Sequence, residues 1–121
     1  MNFTVHVDAG SGDPQRPWAR TLVLTGELDH GSASRLQKAL DKAYAEDARY
    51  LVIDLTGLTF CDSTGISVFL GARRAVAARA GGVLLVGLNS RIERIFRLTG
   101  VARAFATYPT LREALAALPE S

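Results

Sequence analysis

Two short, almost uninterrupted apolar runs constrain this 121-residue chain more than anything else in it: "YLVID" from Tyr50 and "GVLLVGL" from Gly82. A strand is apolar at successive positions only when both of its faces are covered, as in parallel sheets layered with helices. Between the two runs, Ile66, Phe69, Leu70, Val76, Ala77 and Ala80 recur at helical spacing, and Gly81-Gly82 supplies a C-terminal stop. Strand, helix and strand in succession make a crossover, and crossovers of this kind are right-handed. The middle of the chain therefore predicts an α/β sheet.

The flanks extend the pattern. "FTVHV" alternates from Phe3 to Val7 as a half-buried strand does. "DAGSGDPQRP" is turn-rich, with Gly10, Gly12 and Pro14 as punctuation, and "ARTLVLTG" reads as a second strand closing a long-looped hairpin. From Ser32 the period becomes helical, with Ala33, Leu36, Leu40, Ala43 and Tyr44 on one face. "YLVID" reaches Asp54, and a short turn is expected before Asp62. Beyond "GVLLVGL", Ser90 with Glu93 predicts a capping box ahead of Ile92, Ile95 and Phe96, and Gly100 marks that helix's end. "RAFATY" reads as a short strand. Thr110 with Glu113 predicts a second capping box for a closing helix striped by Leu111, Leu115 and Leu118.

The order β-β-α-β-α-β-α-β-α predicts one α/β domain over residues 1–121, with its core roughly at 3–118 and a mixed, mostly parallel sheet of about five strands. A chain of this length buries roughly 65–70% of its unfolded surface, enough for one core without staples. The single cysteine, Cys61, forms no internal disulfide, and "MNFTVHVDAG" lacks the basic and apolar segments of a leader. No apolar run approaches ~18 residues, so neither membrane nor export is indicated and a cytoplasmic location is expected. Residues 1–71 carry six Arg/Lys against nine Asp/Glu, whereas residues 72–121 carry eight Arg against three Glu. That basic tilt suits helix faces, an acidic partner or RNA. No aromatic-interleaved basic strand supports base stacking, so direct nucleic-acid binding is not expected.

"FCDSTG" and "TGELDHGS" each follow a predicted parallel strand, so both belong at the carboxyl end of the sheet, where sites of such folds gather. Ser63 or Asp62 can cap a helix there. If Asp62 caps, Ser63 in the first turn is left facing solvent, where a phosphate would be favoured by the helix dipole. Ser63, His30 and Asp29 or Asp62 also contain the members of a nucleophile-base-acid set. "CDSTG" is not the Gly-x-Ser-x-Gly elbow, however, and little chain remains for a substrate pocket. With His6 and His30 the only histidines and no phosphate-cradling glycine run, neither metal nor cofactor is expected. Cys61 reads as a small buried hydrophobe.

Taken together, "LTGELDHGSA", "DLTGLTFCDSTGISVFLG" and "RIFRLTG" closely resemble the STAS-domain family of anti-sigma factor antagonists, across nearly the whole chain and in the right order. The resemblance implies a non-enzymatic bacterial switch. The unphosphorylated form would bind an anti-sigma factor that is also a GHKL-type serine kinase, releasing the sigma factor. Phosphorylation at the position matching Ser63 would block that binding, and a phosphoserine phosphatase would reverse it. ATP would belong to the partner. The resemblance also implies partner contacts at Asp29, His30, Asp62, Thr64 and Gly65. A STAS scaffold or transport-accessory subunit is the alternative within the fold, and a small serine hydrolase using Ser63 and His30 is the alternative outside it. Two features depart from the family pattern: the long loop carrying Trp18, and Ile66-Ser67 where Leu-Gly is frequent.

Overall fold

Alternation and continuous apolarity place the strands in the computed structural model, which describes residues 2–8 and 16–119. Half-buried β1 (Phe3–Asp8) lies at one edge, antiparallel to β2 (Ala19–Leu28). β2 pairs in parallel with β3 (Tyr50–Cys61), β3 with β4 (Gly82–Val86), and β4 with β5 (Ala106–Tyr108). The sheet order is β1-β2-β3-β4-β5, the order of the sequence itself. Helices α1 (Ala33–Ala45), α2 (Ser63–Ala77), α3 (Ser90–Leu98) and α4 (Leu111–Ala116) alternate with the parallel strands, and a 3₁₀ turn at Val101–Ala104 precedes β5. The expected element order is the observed one. Gly10, Gly12 and Pro14 of the predicted loop lie outside the described residues.

Right-handed crossovers between successive neighbours carry α1, α2 and α3 to one face of the sheet. Leu36 and Leu40 of α1, Phe69 and Val76 of α2, and Ile92 and Phe96 of α3 bury there against Leu22, Leu24, Leu51, Ile53, Leu55 and Leu85. The opposite face holds a smaller core of Ala19, Val52, Leu84 and Val86, covered by Ala114 and Leu118 at the α4 end of the chain. Leu51, Val52 and Ile53 are all fully buried, which is the double coverage that the apolar run demanded. Trp18 packs edge-on to Tyr50 at 5.5 Å, and its carbonyl accepts from Arg49 N at 2.7 Å and Tyr50 N at 3.2 Å. The indole thus lies over the starts of β2 and β3.

Several local expectations change. β3 does not turn at Asp54 but runs on to Cys61, paired only with β2 beyond that point and with two register shifts. α3 takes the place of β4 there, where Asn89 Nδ2 donates to the Leu58 carbonyl at 2.7 Å. Asn89, not Ser90, caps α3, its Oδ1 accepting from Ile92 N at 3.0 Å, while Glu93 pairs with Arg97 at 3.0 Å. Thr110 caps α4 as expected, accepting from Glu113 N at 3.2 Å. After α2 the left-handed residue is Ala80 (φ 59°), not a glycine. Gly81 is needed for another reason: a Cβ there would lie 1.6 Å from the Arg49 carbonyl oxygen. Gly100 (φ 77°) does stop α3 in the left-handed region. α2 ends at Ala77, which is exposed, as is Ala80 beyond it, and Ala72 takes the buried place.

Candidate functional site

The ends of β2 and β3 lie side by side, with Leu28 opposite Cys61 and Asp62 N donating to the Leu28 carbonyl at 3.1 Å. Each strand hands over to a helix through an aspartate. Asp29 leaves β2 nine-tenths buried, and its Oδ1 accepts from Gly31 N at 2.9 Å and Ser32 N at 3.1 Å. Ser32 Oγ lies 3.1 Å from that oxygen and 2.9 Å from the Glu27 carbonyl, and it accepts from Asp29 N at 3.0 Å. The knot fixes the start of α1. Asp29 Oδ2 is buried and has no hydrogen-bond partner among the described residues.

Asp62 serves two loops. Its Oδ1 caps α2, accepting from Gly65 N at 3.0 Å, and its Oδ2 accepts from the His30 backbone N–H at 3.0 Å. The capping expected of this residue is present, and the bond to His30 adds a bridge between the two sheet-end loops. Ser63 is the first residue of α2 and is exposed; Thr64 is half-buried. No hydrogen bond among the described residues engages the Ser63 hydroxyl. It stands at the positive end of a helix dipole with its capping duty discharged by a neighbour.

Gly65 is buried rather than presented outward. A Cβ at this position would fall 2.8 Å from Leu28 Cγ and 2.9 Å from Cys61 Sγ, so the glycine lets α2 sit down on the strand ends. Ser67, one turn beyond Ser63, is exposed and donates to the Ser63 carbonyl at 3.0 Å, so the departure from glycine leaves the core packing untouched. Cys61 is buried, and burial first, then the Asp62 charge, pushes its thiol up to about 12. It behaves as the hydrophobe expected of it.

Asp29, His30, Gly31, Ser32, Arg35 and Asp62 line a cleft of about 410 Å³. Arg35 was not foreseen. Its Nη1 donates to the Phe3 carbonyl at 2.9 Å, a link to β1 for which the sequence carries no pattern. In the sequence Ser32 stands where helical spacing begins. The hydrolase arrangement is not assembled: among the described residues no hydrogen bond joins Ser63 to His30, and both aspartates bind backbone N–H groups instead of an imidazole. Among the described residues no group of three or more His, Cys, Asp or Glu is placed to hold a metal ion. No helix among them is long and apolar enough to cross a membrane.

The site is thus an exposed serine at the start of α2, braced by two aspartate turns at one end of a mixed α/β sheet. The family model of the STAS domain matches residues 14–114, and the chain belongs to that family. The anti-sigma-B factor antagonist of Bacillus subtilis is 34% identical over 101 residues, covering 84% of this chain and 86% of that protein. The anti-sigma-B factor antagonist of Listeria monocytogenes is 35% identical over 81 residues, 67% of this chain and 71% of that one. The crystal structure of an anti-sigma factor antagonist from Mycobacterium paratuberculosis aligns with a TM-score of 0.82 at 28% identity, covering 96% and 93% of the two chains. These similar proteins are regulators.

Proposed function

We propose that this chain is a phosphorylation-controlled antagonist of an anti-sigma factor, working in the cytoplasm. In its unphosphorylated form it binds an anti-sigma factor that is also a GHKL-type serine kinase, and the sigma factor is released. The kinase transfers phosphate to Ser63, the complex weakens, and a phosphoserine phosphatase restores the bare hydroxyl. The observation that carries this reading is that Ser63 is exposed in the first turn of α2 while Asp62, not Ser63, caps the helix. Esterifying that oxygen breaks no hydrogen bond among the described residues, and the new charge is favoured by the N-terminal dipole.

The energetics support a switch. Two like charges ~4 Å apart repel by ~4 kcal/mol at an effective dielectric near 20. At 1.4 kcal/mol per decade, a bulky dianion in a fitted interface therefore weakens it by roughly two to three orders of magnitude. Asp29 supports the same surface. Among the described residues its Oδ2 has no hydrogen-bond partner, and a partner bringing a donor to the cleft that Asp29 helps to line would satisfy it. His30 and Thr64 border this patch, and Asp62 holds its two loops in register.

The test pairs the chain with an anti-sigma kinase from its own genome and ATP. Ser63→Ala is expected to stay folded, bind the kinase and take no phosphate, and Ser63→Asp to bind about 100-fold more weakly. Phosphate appearing on Thr64 in place of Ser63 would refute the site. Hydrolysis of an activated ester that disappears in His30→Ala would favour the hydrolase instead.

A further inference from the structure

The outward face of α3 is built like a contact surface and has no role in the reading above. Ile92 and Phe96 point into the core, whereas Arg91, Arg94, Ile95 and Leu98 recur at the spacing of a second stripe. Leu98 is 73% exposed, and the other exposed large apolar side chain among the described residues is Phe60 at 39%. A single exposed leucine is ordinary. Here it shares a shallow depression of about 350 Å³ with Ser90, Arg91, Arg94 and Ile95. Arg97 is neutralised by Glu93 at 3.0 Å, but among the described residues neither Arg91 nor Arg94 meets a carboxylate. The helix thus shows two uncompensated guanidinium groups beside an apolar knob, in the half of the chain where eight arginines outnumber three glutamates. Arginine is one of the residues enriched among interface anchors.

The position of the stripe matters as much as its chemistry. Arg91 Nη1 reaches the Thr59 carbonyl at 3.5 Å and Asn89 Nδ2 the Leu58 carbonyl at 2.7 Å, so α3 abuts the tail of β3 that leads directly into Asp62 and Ser63. The stripe thus borders the strand segment that ends beside Ser63.

We propose that the stripe Arg91–Arg94–Ile95–Leu98 is a docking surface for an acidic amphipathic helix of a partner protein, with carboxylates one turn apart facing the two arginines and an apolar residue over Leu98. That this helix belongs to the same anti-sigma kinase rests on the Ser63 reading; the stripe's own chemistry does not. Charge complementarity chooses this occupant over a second copy docked through the same helix, whose α3 would bring arginine to arginine. Opposite charge also makes association fast and salt-sensitive.

The test has two arms. In the first, a synthetic helical peptide with Glu at two positions one turn apart and Leu a further turn on is titrated into the full chain and followed by amide NMR. Shifts are expected at Ser90–Leu98 and at Thr59–Phe60, weakening with added salt and falling about tenfold in Leu98→Asp. The charge-reversed pair Arg91→Glu with Arg94→Glu is expected to lose the Glu peptide and gain its Lys counterpart. No shift at millimolar peptide, or equal response to the Glu and Lys peptides in the wild-type chain, overturns the proposal. So does a wild-type dimer that Leu98→Asp dissolves, or binding to anionic phosphatidylglycerol vesicles in place of the peptide. In the second arm the same variants meet the kinase that phosphorylates Ser63. Affinities within twofold of wild type, while Ser63→Asp abolishes the complex, remove the stripe from that interface and leave the Ser63 reading standing. Absence of any kinase acting on Ser63 refutes that reading, while the peptide arm still decides the stripe.

Discussion

The two ends of the parallel sheet are held together in opposite ways. Where the strands begin, Trp18, Arg49 and Tyr50 stack, with the Arg49 guanidinium 5.4 Å from the indole centroid. There backbone meets backbone so closely that Gly81 has no room for a methyl against the Arg49 carbonyl. Where β2 and β3 finish, two carboxylates take up the N–H groups of the outgoing loops, Asp29 within one turn and Asp62 across two. The first end spends its side chains on cohesion. At the second, Asp29, Asp62 and Ser32 brace the loops, and among the described residues the hydroxyl of Ser63 makes no hydrogen bond. The lesson is a division of labour: a surface can change its charge without loss of fold when the residue that changes is not the residue that caps.

Substitutions at each end sharpen the contrast. Gly81→Ala is expected to have the largest effect, about 3 kcal/mol or more in urea unfolding, because the obstructing atom is backbone and cannot swing aside. Trp18→Ala at the same end is expected to cost about 2 kcal/mol by the same measurement, from lost aromatic packing. Asp62→Ala, at the other end, is expected to cost about 1–2 kcal/mol, a cap and a loop bridge together, and to impair partner binding more than stability. Should Asp62→Ala prove as damaging to folding as Gly81→Ala, the division of labour fails.

The smallest effect lies at Cys61, below the Asp62 turn. Its thiol is pushed up to about 12 in the folded chain from an ordinary 9.0. The native state therefore keeps a proton that the unfolded chain releases, so this contribution is complete below about pH 9 and is lost as pH rises towards 12. Cys61→Ala is expected to flatten the alkaline decline of the urea midpoint relative to wild type. Below that range the native thiol should resist alkylation until the chain unfolds.

The sequence was most readable where one physical cause dominates. Buried strands and amphipathic helices follow from apolar periodicity, so the order of elements was legible, as were the stripe of α1 and the stop at Gly100. Positions set by tertiary neighbours were not. The extension of β3 past Asp54 depends on pairing with β2 after β4 has ended. The cap of α3 fell on Asn89 because its amide could also reach Leu58 of that same extension. At the site, the Asp-Ser-Thr-Gly run identified the start of the helix and the freedom of Ser63. It did not tell that Gly65 faces Leu28 and Cys61, because a glycine carries the same letter whether its empty side meets a partner or the core.

The strand order has a consequence for how the domain comes into being. Because every strand pairs with its neighbour in sequence, the sheet widens by one ribbon at a time in the direction of synthesis. A chain emerging from the ribosome can lay down the β1–β2 hairpin, then add each crossover to a finished edge without waiting for a segment beyond the next strand. Of the described helices, α4 is translated last and packs on the rear layer, so that layer stays exposed until α4 has emerged.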